Sequence, residues 1–147
     1  MNNAERYAFT SANPALGEAG LQPYLPIILT HQDRSVTVPG LLDTGAMVNV
    51  LPYQVGIDLG ANWEQQTTTL RLTGNLAQFE ARGLLASAVV GQFAPVRLVF
   101  AWTRATTVPV LLGHVNFFME FDVCFYRSQL AFEVRPKETS SKAGSGI

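Results

Sequence analysis

Asp43 stands within the stretch GLLDTGAMVNVLP, directly behind two leucines and ahead of a Thr-Gly turn. An aspartate in that setting leaves a strand at the rim of its sheet. The glycine lets the backbone turn tightly, and the threonine hydroxyl can hold the turn by hydrogen bonds. The result is an exposed but rigid carboxyl, suited to general acid/base work. The plainer alternative is an Asx-type turn that only ends a strand. Acid/base chemistry at a carboxylate usually needs a second acid, and the remaining aspartates do not stand in a matching setting. Asp33 falls in a turn, Asp58 near a loop glycine and Asp122 in a closing hairpin, none within a second Asp-Thr-Gly or Asp-Ser-Gly. A twofold axis removes the difficulty, because an isologous contact brings Asp43 of one chain to Asp43 of another. No cofactor is called for and no metal is expected. Two histidines and a single cysteine distant from both make a poor ligand set. Cys124, inside FDVCFY, reads as a small buried apolar residue.

The elements that must position Asp43 are strands. YLPIILTH and SVTVPGLLD are β-branched or aliphatic runs separated by the polar turn QDR, a hairpin whose second strand ends at Asp43. TTTLRL, LAQFEARGLLASAVV and APVRLVFAW predict a further sheet segment of at least three strands, with turns at Thr73-Gly74-Asn75 and Gly91-Gln92. The run from Val108 begins as a strand and breaks at Gly113. Val115, Phe118 and Met119 then recur at helical spacing, which predicts one or two helical turns. FDVCFY and QLAFEV form a closing hairpin across Arg127-Ser128, and there is no repeat.

A chain of 147 residues, 48% hydrophobic, is most simply one domain able to bury a substantial core. Residues 1–20, small and polar with Pro14, Gly17 and Gly20, read as a flexible N-terminal arm. The domain occupies 21–135, and the polar Gly/Ser-rich stretch 136–147 reads as a disordered tail. Ten basic residues balance eleven acidic ones without clustering, so neither nucleic acid nor a membrane surface is indicated. The sequence shows no leader pattern and no membrane segment, which reads as cytoplasmic, although a chain cut from a membrane anchor would look the same.

LLDTGA followed by VNVLP, then a turn-centred β segment, then VLLG before a short helix, resembles the retropepsin-like (single-domain) aspartic proteases from about Leu25 to Val134. The ending LLGHVNFFMEFDVCFYRSQLAFEV is closer to the bacterial and cellular members than to the shorter viral ones. The resemblance implies an all-β, closed fold with a hairpin flap and one short helix after the Leu-Leu-Gly element. It implies Asp43 as the catalytic residue, Thr44 as the turn residue facing its counterpart across the dimer axis, and Gly45 as the room for substrate backbone. Leu112 and Gly113 would pass beneath the active loop and brace it, a side chain at Gly113 being too large. Thr73, Gly74 and Asn75 would form the flap tip.

The implied activity is an aspartic endopeptidase, a homodimer in which two Asp43 carboxyls share one proton and activate a water against a peptide bond. Ala46 stands where two-lobed relatives carry a hydroxyl that steadies the ionised carboxylate, so activity is expected to extend from mildly acidic toward neutral pH. Polypeptide substrates would bind extended, with Val48, Val50, Leu76 and Val110 as candidate pocket residues. The viral members place acidic residues after the motif and an arginine after the later glycine, whereas Met47, Val48 and His114 stand here. His114 reads as a helix cap in preference to a base. The competing function is a noncatalytic dimeric peptide-binding or assembly module on the same fold.

Overall fold

The computed structural model describes residues 3–138, and the expected tail, 136–147, lies outside them from residue 139 onward. The chain forms twelve strands among the described residues. They are β1 (Glu5–Ala8), β2 (Thr10–Ser11), β3 (Leu21–Gln22), β4 (Tyr24–His31), β5 (Arg34–Leu42) and β6 (Asn49–Leu51), then β7 (Thr69–Leu70), β8 (Ala81–Val89), β9 (Val96–Thr103), β10 (Val110–Leu112), β11 (Phe121–Tyr126) and β12 (Ala131–Pro136). Two short helices, α1 (Tyr53–Asp58) and α2 (Phe117–Glu120), accompany them. No helix among the described residues is long and apolar enough to cross a membrane.

The main sheet runs β4-β5-β10-β6-β9-β8-β7, and β4 also pairs with β8, so six of its strands close into a barrel. The predicted β4–β5 hairpin is present, in register from Tyr24↔Leu41 to His31↔Arg34. Along β4, Leu25, Ile27 and Leu29 are fully buried and alternate with more exposed neighbours, the period-two signature of a strand with one face on the core. They meet Phe100, Trp102, Leu112 and Phe117 inside the barrel, each large apolar side chain contributing about 2 kcal/mol by leaving water. The strands expected as a separate sheet segment, β7, β8 and β9, belong to this same sheet, because β8 pairs with both β9 and β4.

Helix α2 follows Leu-Leu-Gly as expected. Helix α1 is an addition, anchored where the Trp102 Nε1–H donates to the Tyr53 carbonyl at 3.0 Å and the Tyr53 and Trp102 rings stack at 5.7 Å. Its six residues are too few to show helical periodicity in the sequence.

The segment expected to be a flexible arm is folded over much of its length. Glu5–Ala8 pair with Ala131–Val134, giving a second sheet of order β1-β12-β11. The Tyr7 ring stacks on Phe132 at 5.4 Å, its hydroxyl donates to Glu5 Oε1 at 2.7 Å, and Glu5 Oε2 accepts the Gln92 N–H at 3.0 Å. Four residues of strand, set between Met-Asn-Asn-Ala and the small polar run Thr-Ser-Ala-Asn, leave little local signal. The partner that holds them lies more than a hundred residues away.

Candidate active site

Asp43 leaves β5 where expected. Strands β5 and β10 run parallel, Leu42 opposite Leu112, and the Asp43 N–H continues the ladder to the Leu112 carbonyl at 3.0 Å. The loop then closes on itself. Asp43 Oδ1 accepts the Gly45 N–H at 2.9 Å, and the Asp43 carbonyl accepts the Ala46 N–H at 3.1 Å. One carboxyl oxygen is thereby fixed. Oδ2 has no hydrogen bond among the described residues, so a half-buried acid keeps one oxygen available.

Leu112 and Gly113 lie under this loop. A Cβ added to Gly113 would sit 2.6 Å from both the Ala46 and Val48 carbonyl oxygens, so the backbone of the loop occupies the space a side chain would need. Above it, the His114 N–H donates to the Ala46 carbonyl and the Val115 N–H to the Met47 carbonyl, at 3.0 and 2.8 Å.

Sequence reasoning missed the residue that ties this arrangement together. Asn49 is fully buried at the start of β6. Its Oδ1 accepts from Gly113 N at 2.8 Å and Phe117 N at 3.3 Å, and its Nδ2 donates to the Val99 carbonyl at 2.9 Å and to Asn116 Oδ1 at 3.1 Å. A side-chain amide can make about four such bonds, and Asn49 uses them all. The signal was an asparagine between two valines in VNVLP, a polar residue in an otherwise apolar strand.

Beside Asp43 lies a cavity of about 230 Å³. Gly45, Ala46, Met47, Val48 and Val50 form one wall, while Arg71, Leu72, Thr73 and Leu76 come from the β7–β8 connection and Leu111 from β10. Of the candidate pocket residues, Val48, Val50 and Leu76 line it. Val110 does not: it is 4% exposed and packs in the barrel core, and Leu111 takes the cavity face. Alternation along β10 is the reason, since Val110 and Leu112 share the core side and Leu111 points the other way.

The β7–β8 connection overhangs the cavity as a short hairpin of two rungs, Thr69↔Arg82 and Leu70↔Ala81. Its crest is a 3-10 turn, Gly74–Leu76, entered through Gly74 at φ 64°. Thr73 reaches the cavity, whereas Gly74 and Asn75 are exposed on the crest outside its lining.

No protein-family model and no curated protein sequence matches the chain. Among solved structures it is similar to a retropepsin-like aspartic protease from Rickettsia conorii, with a TM-score of 0.61 and 16% identity over 90% of this chain and 99% of that one. The fold is retropepsin-like.

Two expectations change within this retropepsin-like frame. His114 does not cap α2, since Asn116 holds the N-cap position. Its Nε2 lies 2.7 Å from the Thr44 carbonyl and its ring packs on Phe118 at 5.3 Å, so it spans from the Gly113 turn to the Asp43 loop. Cys124 is exposed, because it shares the outward face of β11 with Asp122 and Tyr126 while Phe121 and Val123 face the core.

Proposed function

We propose that this chain is an aspartic endopeptidase that acts as a homodimer. The observation that carries the proposal is the Asp43 carboxyl, one oxygen fixed by Gly45 and the other open, beside an apolar cavity under a hairpin. Asp43 is the one acid lining that cavity among the described residues, so the geometry is a half-site. A second copy supplies the other half.

Two surfaces suit that second copy. The outer edge of β11 carries no partner strand among the described residues and can extend its sheet. Beside the Asp43 loop, Met47, at one of the places where the viral members carry charge, is 70% exposed, and Val115, whose N–H donates to the Met47 carbonyl, is 43% exposed.

With two Asp43 carboxyls sharing one proton, the ionised one takes a proton from the water between them as its oxygen attacks the scissile carbonyl carbon. The protonated one donates to the carbonyl oxygen. When the tetrahedral intermediate collapses, the C–N bond breaks, the leaving nitrogen takes a proton from the pair, and one hydroxyl of the intermediate returns its proton to the pair. Thr44, Gly45, Ala46, Leu112 and Gly113 support the loop. Thr73, Gly74 and Asn75 close over an extended peptide whose side chains meet Val48, Val50 and Leu76.

The test compares wild type with Asp43→Asn on a denatured protein substrate, with and without a transition-state-mimicking inhibitor, alongside the solution mass. Cleavage by a dimer that is blocked by inhibitor and reduced at least about a hundredfold in Asp43→Asn is expected. A well-folded dimer that cleaves in neither form would instead be a noncatalytic peptide-binding module.

A further inference from the structure

We propose that Arg71 forms an acid-selecting subsite in the Asp43 cleft, so that the preferred peptide carries an aspartate or glutamate side chain close to the scissile bond. The inference rests on the peptidase reading above.

Arg71 immediately follows β7, just past the last rung of the overhanging hairpin, and it lines the same cavity as Asp43. Apart from Asp43 and Thr73, the walls around it are apolar or small, with Val48, Val50, Leu72, Leu76 and Leu111 among them. It is the one cation in that lining.

Its charge has no paired acid among the described residues. Among the described residues Arg71, like Arg34 and Arg97, makes no ion pair and no ring contact, whereas Arg6 pairs with Glu133, Arg82 with Glu80 and Arg135 with Asp122, and Arg104 lies over Tyr53 and Trp63. Of these three, Arg71 alone lines the Asp43 cavity. The acid that borders Arg71 on the outer side of the hairpin is Glu80. Glu80 Oε2 is already held by Arg82, at 3.1 Å from Nε and 2.9 Å from Nη2. Arg71 is exposed and borders both the Asp43 cleft and the outer side of the hairpin, and a planar guanidinium without an acid partner matches a carboxylate in two-pronged geometry. Closure of the hairpin over a peptide would exclude water and strengthen that contact.

The experiment uses one cleaved peptide with glutamate, glutamine or lysine placed in turn at each position flanking the scissile bond. It is presented to the full chain as wild type, Arg71→Gln and Arg71→Glu. At one position wild type is expected to favour glutamate over glutamine at least about tenfold in kcat/KM, chiefly through KM, and less so at high salt. The preference should collapse in Arg71→Gln and turn toward lysine in Arg71→Glu. Asp43-dependent cleavage without an acid preference would overturn the subsite alone. So would an Arg71→Gln variant that slows every peptide equally through kcat, which would place Arg71 on Asp43 and not on substrate. Absence of any Asp43-dependent cleavage would overturn both this inference and the peptidase reading.

Discussion

The Oδ1 atom of Asn49 lies 2.8 Å from the Gly113 amide nitrogen, and that bond ties the strand leaving the Asp43 loop to the turn beneath it. Because Asn49 is fully buried and makes four hydrogen bonds, its truncation leaves the Gly113 and Phe117 N–H groups and the Val99 carbonyl without their partner. Asn49→Ala is expected to cost about 2–4 kcal/mol of folding stability, read from denaturant midpoints. A loss below about 0.5 kcal/mol would mean that the network is not structural.

The contact between His114 and Thr44 carries a second prediction. A carbonyl only accepts, so Nε2 must bear the hydrogen in the 2.7 Å bond. His114→Ala should cost about 1 kcal/mol of stability while slowing the proposed cleavage about tenfold through kcat, since small displacements at a reacting group are expensive. His114→Gln, which keeps an N–H donor on a long side chain, should recover part of the loss. Steady-state kinetics beside thermal midpoints separate the two effects, and an unchanged kcat in His114→Ala would remove this bond from the catalytic loop's support.

Alkaline stability provides a third. Burial, then the hydrogen bond to Glu5 and the charge of Glu5, hold the Tyr7 hydroxyl well above the usual tyrosine range. The folded state therefore favours the neutral phenol. Its contribution is whole below about pH 10, the unfolded value, and is lost as pH rises toward the folded one. Tyr7→Phe should show a shallower decline in stability than wild type above about pH 10. Parallel curves for the two proteins would contradict the assignment.

Much of this architecture is legible in the residues themselves. The apolar alternation of YLPIILTH, the turn QDR and the aliphatic run into Asp43 are local, and β4, β5 and the strand-end acid follow from them. The helical spacing after Gly113 is local as well, and α2 begins within it. Asp43 can be placed at a strand end from these local signals, whereas Gly113, Val48, Val50 and Leu76 are assigned to the same site only through the resemblance carried by LLDTGA, VNVLP and VLLG.

What the sequence could not decide depends on partners distant along the chain. Whether Glu5–Ala8 is an arm or a strand is settled by Ala131–Val134, and whether Asn49 is exposed or satisfied by Gly113, Asn116, Phe117 and Val99. Val110 and Leu111 are adjacent aliphatic residues, and only the pairing of β10 between β5 and β6 decides which one faces the cavity. Arg71 is one arginine among several until the pairing of β7 with β8 brings the residue after β7 into the lining of the Asp43 cavity. Local pattern sets which backbone conformation a segment prefers, whereas its burial, its hydrogen-bond partners and the cleft it borders arise only when segments far apart in sequence pack together.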